Sequence, residues 1–350
     1  MLQRSPSIFK ITLLSLLFIF TISCKETDSY DIVIYGGTSA GIAAAIQASR
    51  LGKSVVLIEP TIRIGGLTTG GLGQTDIGNK QAIGGISREF YENIKAYYDN
   101  PAHWKWEQKT DYKDDGQTRS AENENSMWTF EPSAALSVYT AMLAKENVTL
   151  VYNERLNRSS GVKKTAGKIE SITMESGAVF SGTIFIDATY EGDLMASSDV
   201  SYTYGRESNA KYGETLNGIQ ANKKSTTLRG TVSNNNTYHN FVDGVAPYII
   251  KGDSTSGLLP FINEGGPGID GEGDKGIQAY CFRMTLTNHP ENRIPFEKPA
   301  GYNELDYELL FRNYEAATGP LEEMYSYGDK LAPWINAPMP NRKTDTNNQK

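Results

Sequence analysis

Two short stretches near the start of the chain carry residue types and spacing suited to a phosphate-rich ligand. The first is Gly36-Gly37-Thr38-Ser39-Ala40-Gly41, a small-residue turn. The second opens with Glu59 and continues through Arg63-Ile64-Gly65-Gly66-Leu67-Thr68-Thr69. A glycine turn ahead of a helix lets backbone N–H groups face a pyrophosphate, where the helix dipole favours negative charge. A carboxylate at the end of the following strand accepts hydrogen bonds from a ribose diol, which is the role expected of Glu59. Thr38 stands where the G-x-G-x-x-G fingerprint has its middle glycine. A β-branched residue there tolerates less close approach, and Gly37 beside it supplies room.

The elements that must hold these residues follow from the hydrophobic pattern. An apolar run, Ile32 to Tyr35, feeds the turn; an alanine-rich helical stretch, Ala40 to Leu51, follows; a second apolar run, Ser54 to Ile58, stops at Glu59. Strand, turn, helix and strand in this order make a dinucleotide-binding βαβ unit. Helices are expected at Ile83 to Tyr98, with Ile86, Phe90, Ile94 and Tyr97 on one face, and from Pro132 to Asn147, with Leu136, Tyr139 and Leu143 apolar. Val148 to Tyr152 reads as a third parallel strand, and Leu156 to Phe185 as a β-meander punctuated by glycines. Between the two helices, Asp99 to Asn125 is a polar excursion holding His103, Trp104, Trp106, Tyr112 and the acidic trio Asp111, Asp114 and Asp115. Its tryptophans are expected to pin the loop to the core rather than to stack on a sugar.

Arg63-x-Gly65-Gly66-x-x-Thr69 directly after a ribose-binding acid is more specific than the glycine fingerprint alone. A NAD-binding domain does not demand it. It resembles the loop that, in flavoproteins of the glutathione-reductase type, runs beside the pyrophosphate and ribitol of FAD. Further along, the buried strand Thr183 to Ile186 ends in Asp187-Ala188-Thr189, small residues suited to passing over a cofactor. The expected FAD contacts are therefore the turn Gly36 to Gly41, Glu59, Arg63, Gly65, Gly66, Leu67, Thr68 and Thr69, with Leu156 at the head of the meander and Ala188 and Thr189 after the return strand.

Five motifs together resemble the bacterial FAD-dependent oxidoreductase family, whose secreted members are often labelled xanthan lyase-like. They are Tyr35 to Gly41, Ile64 to Asp76, Trp128 to Pro132, Asp187 to Met195 and Gln278 to Arg283. The likeness covers nearly all of residues 30–345 and extends distantly to the flavin subunit of heterodisulfide reductase. It implies non-covalent FAD and a glutathione-reductase-like α/β fold: a Rossmann-like parallel sheet with a β-meander, and an inserted mixed α+β cap or substrate domain. Iron–sulfur clusters do not carry over, because the chain has only 2 cysteines. Family members tend to have His after the Glu-Pro pair, where this chain has Ser133. Flavoproteins of this type also end on a Gly-Asp motif between a late strand and a helix. Here Gly252-Asp253, Gly273-Asp274 and Gly328-Asp329 stand in no such context, so the chain reads as the N-terminal part of a longer protein.

The rest of the sequence bounds location and partners. Arg4 and Lys10 precede an apolar run, Ile11 to Ile22, shorter than the ~20 residues of a spanning helix and suited to a signal peptide. Thr21-Ile22-Ser23-Cys24 resembles a lipobox, giving residues 1–23 as a signal peptide, Cys24 as a lipidated N-terminus and 24–30 as a tether. Residues 31–195 then form the FAD-binding domain, 196–340 the cap domain, with a strand through Gly276 to Met284 and a helix from Leu305 to Ala316, and 341–350 a polar tail. A net charge of −7 with no basic stripe argues against nucleic acid. Asp270, Glu272 and Asp274 alternate with glycines but lack the downstream Glu of a calcium loop, so no metal site is expected. The activity expected is hydride transfer from an unidentified substrate, a carbohydrate among the candidates, to flavin. A polysaccharide lyase and an inactive FAD-binding fragment are the alternatives. His103, His239 and His289 are the available imidazole bases, with none assigned.

Overall fold

A computed structural model describes residues 29–113, 120–121, 123–220, 244–266, 268–277, 283–316 and 334–348. The leader with Cys24, Asp114, Asp115, His239, Gln278 to Phe282 and Gly328-Asp329 lie outside the described residues.

The chain begins with β1 (Ser29–Tyr35), α1 (Ser39–Arg50) and β2 (Val55–Glu59), the expected βαβ unit. A short helix α2 (Gly66–Gly70) follows, then α3 (Gly85–Asp99), α4 (Pro132–Leu143) and β3 (Val148–Tyr152). The meander is β4 (Val162–Thr165), β5 (Lys168–Thr173) and β6 (Val179–Asp187). The six strands form one sheet in the order β3-β2-β1-β6-β5-β4. β3, β2, β1 and β6 run parallel, while β5 and β4 turn back antiparallel.

Alternation along the central strands sorts the core into two layers. Ile34, Val55 and Leu57 face α1, α3 and α4, joining Ile42, Ile46, Phe90, Ile94 and Met142. Val33, Tyr35, Val56 and Ile58 face the meander, joining Leu156, Ile172 and Met174. Burial on both faces is why β1 and β2 read as continuous apolar runs rather than alternating ones. α3 carries Phe90 and Ile94 inward as expected, with Tyr98 rather than Tyr97 as its third buried residue.

The later elements are α5 (Asp193–Ser197), α6 (Asn209–Tyr212), β7 (Thr285–Thr287), α7 (Glu308–Ala316), β8 (Trp334–Met339) and β9 (Lys343–Asn348). Two sequence expectations are corrected here. No strand covers the described ends of Gly276 to Met284; pairing starts at Thr285, where β7 finds β9. The polar tail is not a tail, since Lys343–Asn348 is the central strand of a three-stranded sheet, β7-β9-β8. Lys343, Asp345 and Thr346 find partners in Glu131, Gln74, Arg283 and Met284, which a hydropathy pattern does not report. Glu304–Tyr307 is a 3-10 turn leading into α7, so the helix expected from Leu305 begins as a tighter coil.

The small sheet is fixed to the main body by Glu131, at the N-terminus of α4. The Glu131 carboxylate accepts from Tyr98 Oη at 2.9 Å and Asn341 Nδ2 at 2.7 Å, and pairs with Lys343 Nζ at 2.7 Å. Asp345, 1% exposed, accepts from the Gln74 backbone N–H and pairs with Arg283 at 3.2 Å. Both tryptophans of the polar excursion anchor it. Trp104 Nε1 donates to the Tyr98 carbonyl at 2.7 Å, and Trp106 packs on His289.

Candidate functional site

The site forms where β1, β2 and β6 end side by side. Gly36 leaves β1 at φ +105°, and a Cβ there would lie 2.7 Å from the Ala188 carbonyl carbon and the Thr189 nitrogen. The return strand therefore crosses the turn at a distance only glycine allows. Gly41 is demanded by the turn folded back on α1, since a Cβ would meet the Gly36 carbonyl oxygen at 2.0 Å.

Thr38, the departure from the fingerprint, has a structural job. It is the N-cap of α1, its hydroxyl accepting from the Gly41 N–H at 3.3 Å, and the same hydroxyl donates to the Ala188 carbonyl at 2.7 Å. One side chain thus closes the helix end and ties it to the return strand. The methyl that costs close approach is buried, Thr38 being 7% exposed.

Glu59 is 6% exposed. Its Oε2 accepts from the Gly37 N–H at 2.9 Å and its Oε1 from the Thr61 N–H at 2.8 Å. A carboxylate has about four lone-pair sites, so two remain for a ribose diol. The Gly65 N–H donates to the Gly37 carbonyl at 2.7 Å, joining the two glycine turns. Arg63 Nη1 donates to the Thr69 carbonyl at 3.0 Å, at the end of α2, and the Thr69 hydroxyl donates to Ile64 O at 2.6 Å.

A cleft of about 530 Å³ runs across these ends, within the ~300–1,000 Å³ usual for ligand sites. Of the expected contacts, Gly36, Thr38, Glu59, Arg63, Gly66, Leu156 and Thr189 line it. Gly37, Gly41, Gly65, Thr69 and Ala188 stand behind that lining and set its shape through the bonds above. Ser39, Ala40 and Thr68 instead line a second cleft of about 220 Å³ with Phe90, Tyr91 and Tyr139. There the Ser39 and Thr68 hydroxyls are 2.8 Å apart, and burial pushes the Tyr139 phenol up to about 12. The Leu67 N–H donates to Tyr190 Oη at 2.9 Å, and the Leu156 N–H to Tyr35 Oη at 2.9 Å. Burial, with Asp193 and Asp187 nearby, raises the Tyr35 phenol above its ordinary value.

Sequence reasoning did not single out Tyr35, Arg155, Arg158, Tyr190 or Asp193, all of which line the cleft. Tyr35, Tyr190 and Asp193 lay inside quoted motifs; the two arginines sit on an irregular loop with no pattern to mark them. The described imidazoles are elsewhere. His103 is stacked on Tyr97 with its Nδ1 2.6 Å from the Tyr97 carbonyl, and His289 packs against Trp106. Neither described Gly-Asp pair reaches the cleft: Asp253 caps a 3-10 turn, and Asp274 holds Arg206.

A glycine turn into a capped helix, a buried acid at the end of the second strand and a return strand crossing the turn define a dinucleotide-binding site of the Rossmann-like class. A family model described as FAD dependent oxidoreductase matches residues 31–350. The chain belongs to that family, and FAD is the cofactor its cleft fits. No curated protein matches the sequence. Solved structures similar to part of it include L-proline dehydrogenase from P. horikoshii, at 13% identity and TM-score 0.33, covering 52% of this chain and 59% of that one. L-amino acid deaminase from Proteus vulgaris is similar at 16% identity and TM-score 0.33, covering 51% of each chain. A 3-ketosteroid-delta4-(5alpha)-dehydrogenase from Rhodococcus jostii RHA1 is similar at 18% identity and TM-score 0.30, covering 47% of each chain. The chain thus aligns to between about half and three-fifths of those proteins' length.

Proposed function

We propose that the protein is a cell-envelope flavin oxidoreductase that takes hydride from a small-molecule donor, with carbohydrates the first class to test. The observation that carries the reading is the convergence of Gly36, Thr38, Glu59, Gly66 and Thr189 on one cleft. Bound FAD supplies the hydride-accepting chemistry. The chain's own residues do the holding. Glu59 would hold the ribose diol and the Gly36–Gly41 turn the diphosphate at the start of α1, with Arg63 and Gly66 lining the same cleft. The envelope assignment is supported by the Arg4 to Cys24 leader pattern, with Cys24 as the lipid-bearing residue.

Purification of the full chain from a bacterial host tests the cofactor step, with flavin absorbance read before and after incubation with FAD. A colourless protein that takes up no FAD overturns it. Anaerobic mixing of the yellow protein with a panel of sugars, amino acids and hydroxy acids tests the donor class; bleaching by a sugar alone is the expected result, and bleaching only by another class corrects it. For location, the Cys24→Ala variant should shift from the membrane to the soluble fraction. A wild-type protein that fractionates as soluble from the outset removes the anchor.

A further inference from the structure

We infer that Tyr190 is a positioning residue for FAD, a strap whose phenol spans the cleft and retains the cofactor. The inference rests on FAD occupying this cleft. Tyr190 stands just beyond β6, and its hydroxyl reaches the start of α2, where the Leu67 N–H donates to it at 2.9 Å beside the cleft-lining Gly66. The two residues are 123 positions apart in sequence, and this bond joins the segment after the return strand to the first turn of α2. Tyr190 and Gly66 both line the cleft, so the phenol forms part of its wall without filling it.

Two further observations show that the contact is built into the fold. The first is the turn that carries Tyr190. Asp187 Oδ1 accepts from the Thr189 N–H at 2.9 Å and the Thr189 hydroxyl at 2.7 Å, while Asp187 Oδ2 accepts from the Met195 N–H at 2.8 Å. The Thr189 hydroxyl in turn accepts from the Gly192 N–H at 2.9 Å. The backbone on either side of Tyr190 is thereby fixed, and a tyrosine has only two side-chain torsions left to order.

The second observation is Gly66. A Cβ on that residue would stand 2.2 Å from Tyr190 Oη. The second glycine of Arg63-x-Gly65-Gly66 is therefore required by the tyrosine, whatever else it does for a cofactor. Tyr190 is nonetheless 59% exposed, so its ring is not held by core packing. A side chain set across a cleft by one hydrogen bond, on a rigid turn and with an open outer face, suits a strap that opens and closes over a ligand.

The test is the rate of FAD release from the full chain, followed by flavin fluorescence after dilution. Tyr190→Phe keeps the ring and removes the hydroxyl. It should release FAD roughly 2- to 12-fold faster, the range of one net hydrogen bond, and association should quicken as well, because the contact also closes the cofactor-free cleft. Release at the wild-type rate overturns the strap, and so does slower release, which would make the phenol a competitor of the cofactor. Gly66→Ala should also speed release by displacing the phenol. In the double variant the two effects should not multiply, because both break one contact; multiplication overturns the assignment. Circular dichroism checks that each variant folds. Amide exchange at Leu67 reads the contact without cofactor and should quicken in Tyr190→Phe. Equal exchange overturns the strap, whereas failure of the wild type to bind FAD overturns the cofactor reading instead.

Discussion

Removing the Glu131 carboxylate should destabilise the protein more than any surface change of charge. The carboxylate is 7% exposed and serves the Lys343 ammonium, the Tyr98 hydroxyl and the Asn341 amide at 2.7–2.9 Å. Glu131→Ala leaves the Tyr98 phenol without its acceptor and the Asn341 amide with only the His103 carbonyl, an unmet buried donor costing about 1–3 kcal/mol. It also strands the ammonium of a lysine whose side chain is 21% exposed, enough for water to recover part of its solvation. Breaking a buried pair from one side costs about 3–5 kcal/mol, and the residual exposure of Lys343 places the expected loss near about 3 kcal/mol. Lys343→Met should cost less, about 1–2 kcal/mol, since Tyr98 and Asn341 still serve the carboxylate. The double variant should lose less than the sum of the two single losses, because Lys343 is no longer stranded. Urea denaturation measures all three. Limited proteolysis should place the first new cut near β9, which this network fastens. Additive losses, or a Glu131→Ala loss below about 0.5 kcal/mol, would refute the reasoning.

Further outcomes follow from other groups. Thr38→Val should cost about 1–2 kcal/mol by removing the cap of α1, while Thr38→Ser should recover most of it; equal losses for both by thermal denaturation would contradict the role of the hydroxyl. The Tyr139 phenol is raised from 10.0 to about 12, so its contribution is complete below pH 10 and is lost as pH rises toward 12. The stability gap between wild type and Tyr139→Phe should thus move against the wild type by about 2–3 kcal/mol over that window. Asp345 is raised above 3.8 chiefly by burial, with Arg283 opposing. Its favourable contribution is present below about pH 4 and lost as pH rises through the higher folded-state value. The stability of Asp345→Asn relative to wild type should therefore increase from pH 4 upward and then level off; a gap that is flat or shrinks by urea midpoints would be wrong for this reading.

The dinucleotide half was legible because its chemistry is local. Gly36 and Gly41 are forced by contacts within one turn and its crossing strand, and β1 and β2 are buried on both faces, so both leave marks in composition. The meander showed through its glycines and alternation. β9 was illegible for the opposite reason. Lys-Thr-Asp-Thr-Asn-Asn has no apolar periodicity, and it is a strand because β8 beside it in sequence is joined by Glu131, Gln74, Arg283 and β7, all distant in sequence, in supplying its partners. Strand preference is a property of such surroundings more than of the residues. Thr38 looked like a defect of the fingerprint until Ala188 was seen beside it, and nothing in the sequence pairs Tyr190 with Leu67.

The position of β9 also sets a timetable. Every strand of the large sheet has been synthesised by Asp187, whereas β7 has no strand to pair with, among the described residues, until Lys343 to Asp345 arrive. Asn341 meets Trp106 and Glu131 across 235 and 210 positions. On a chain still leaving the ribosome, the glycine turn and its return strand assemble early, while the Glu131 carboxylate waits for its lysine. The protein should therefore mature in two stages, the second, rich in distant contacts, being the slower one.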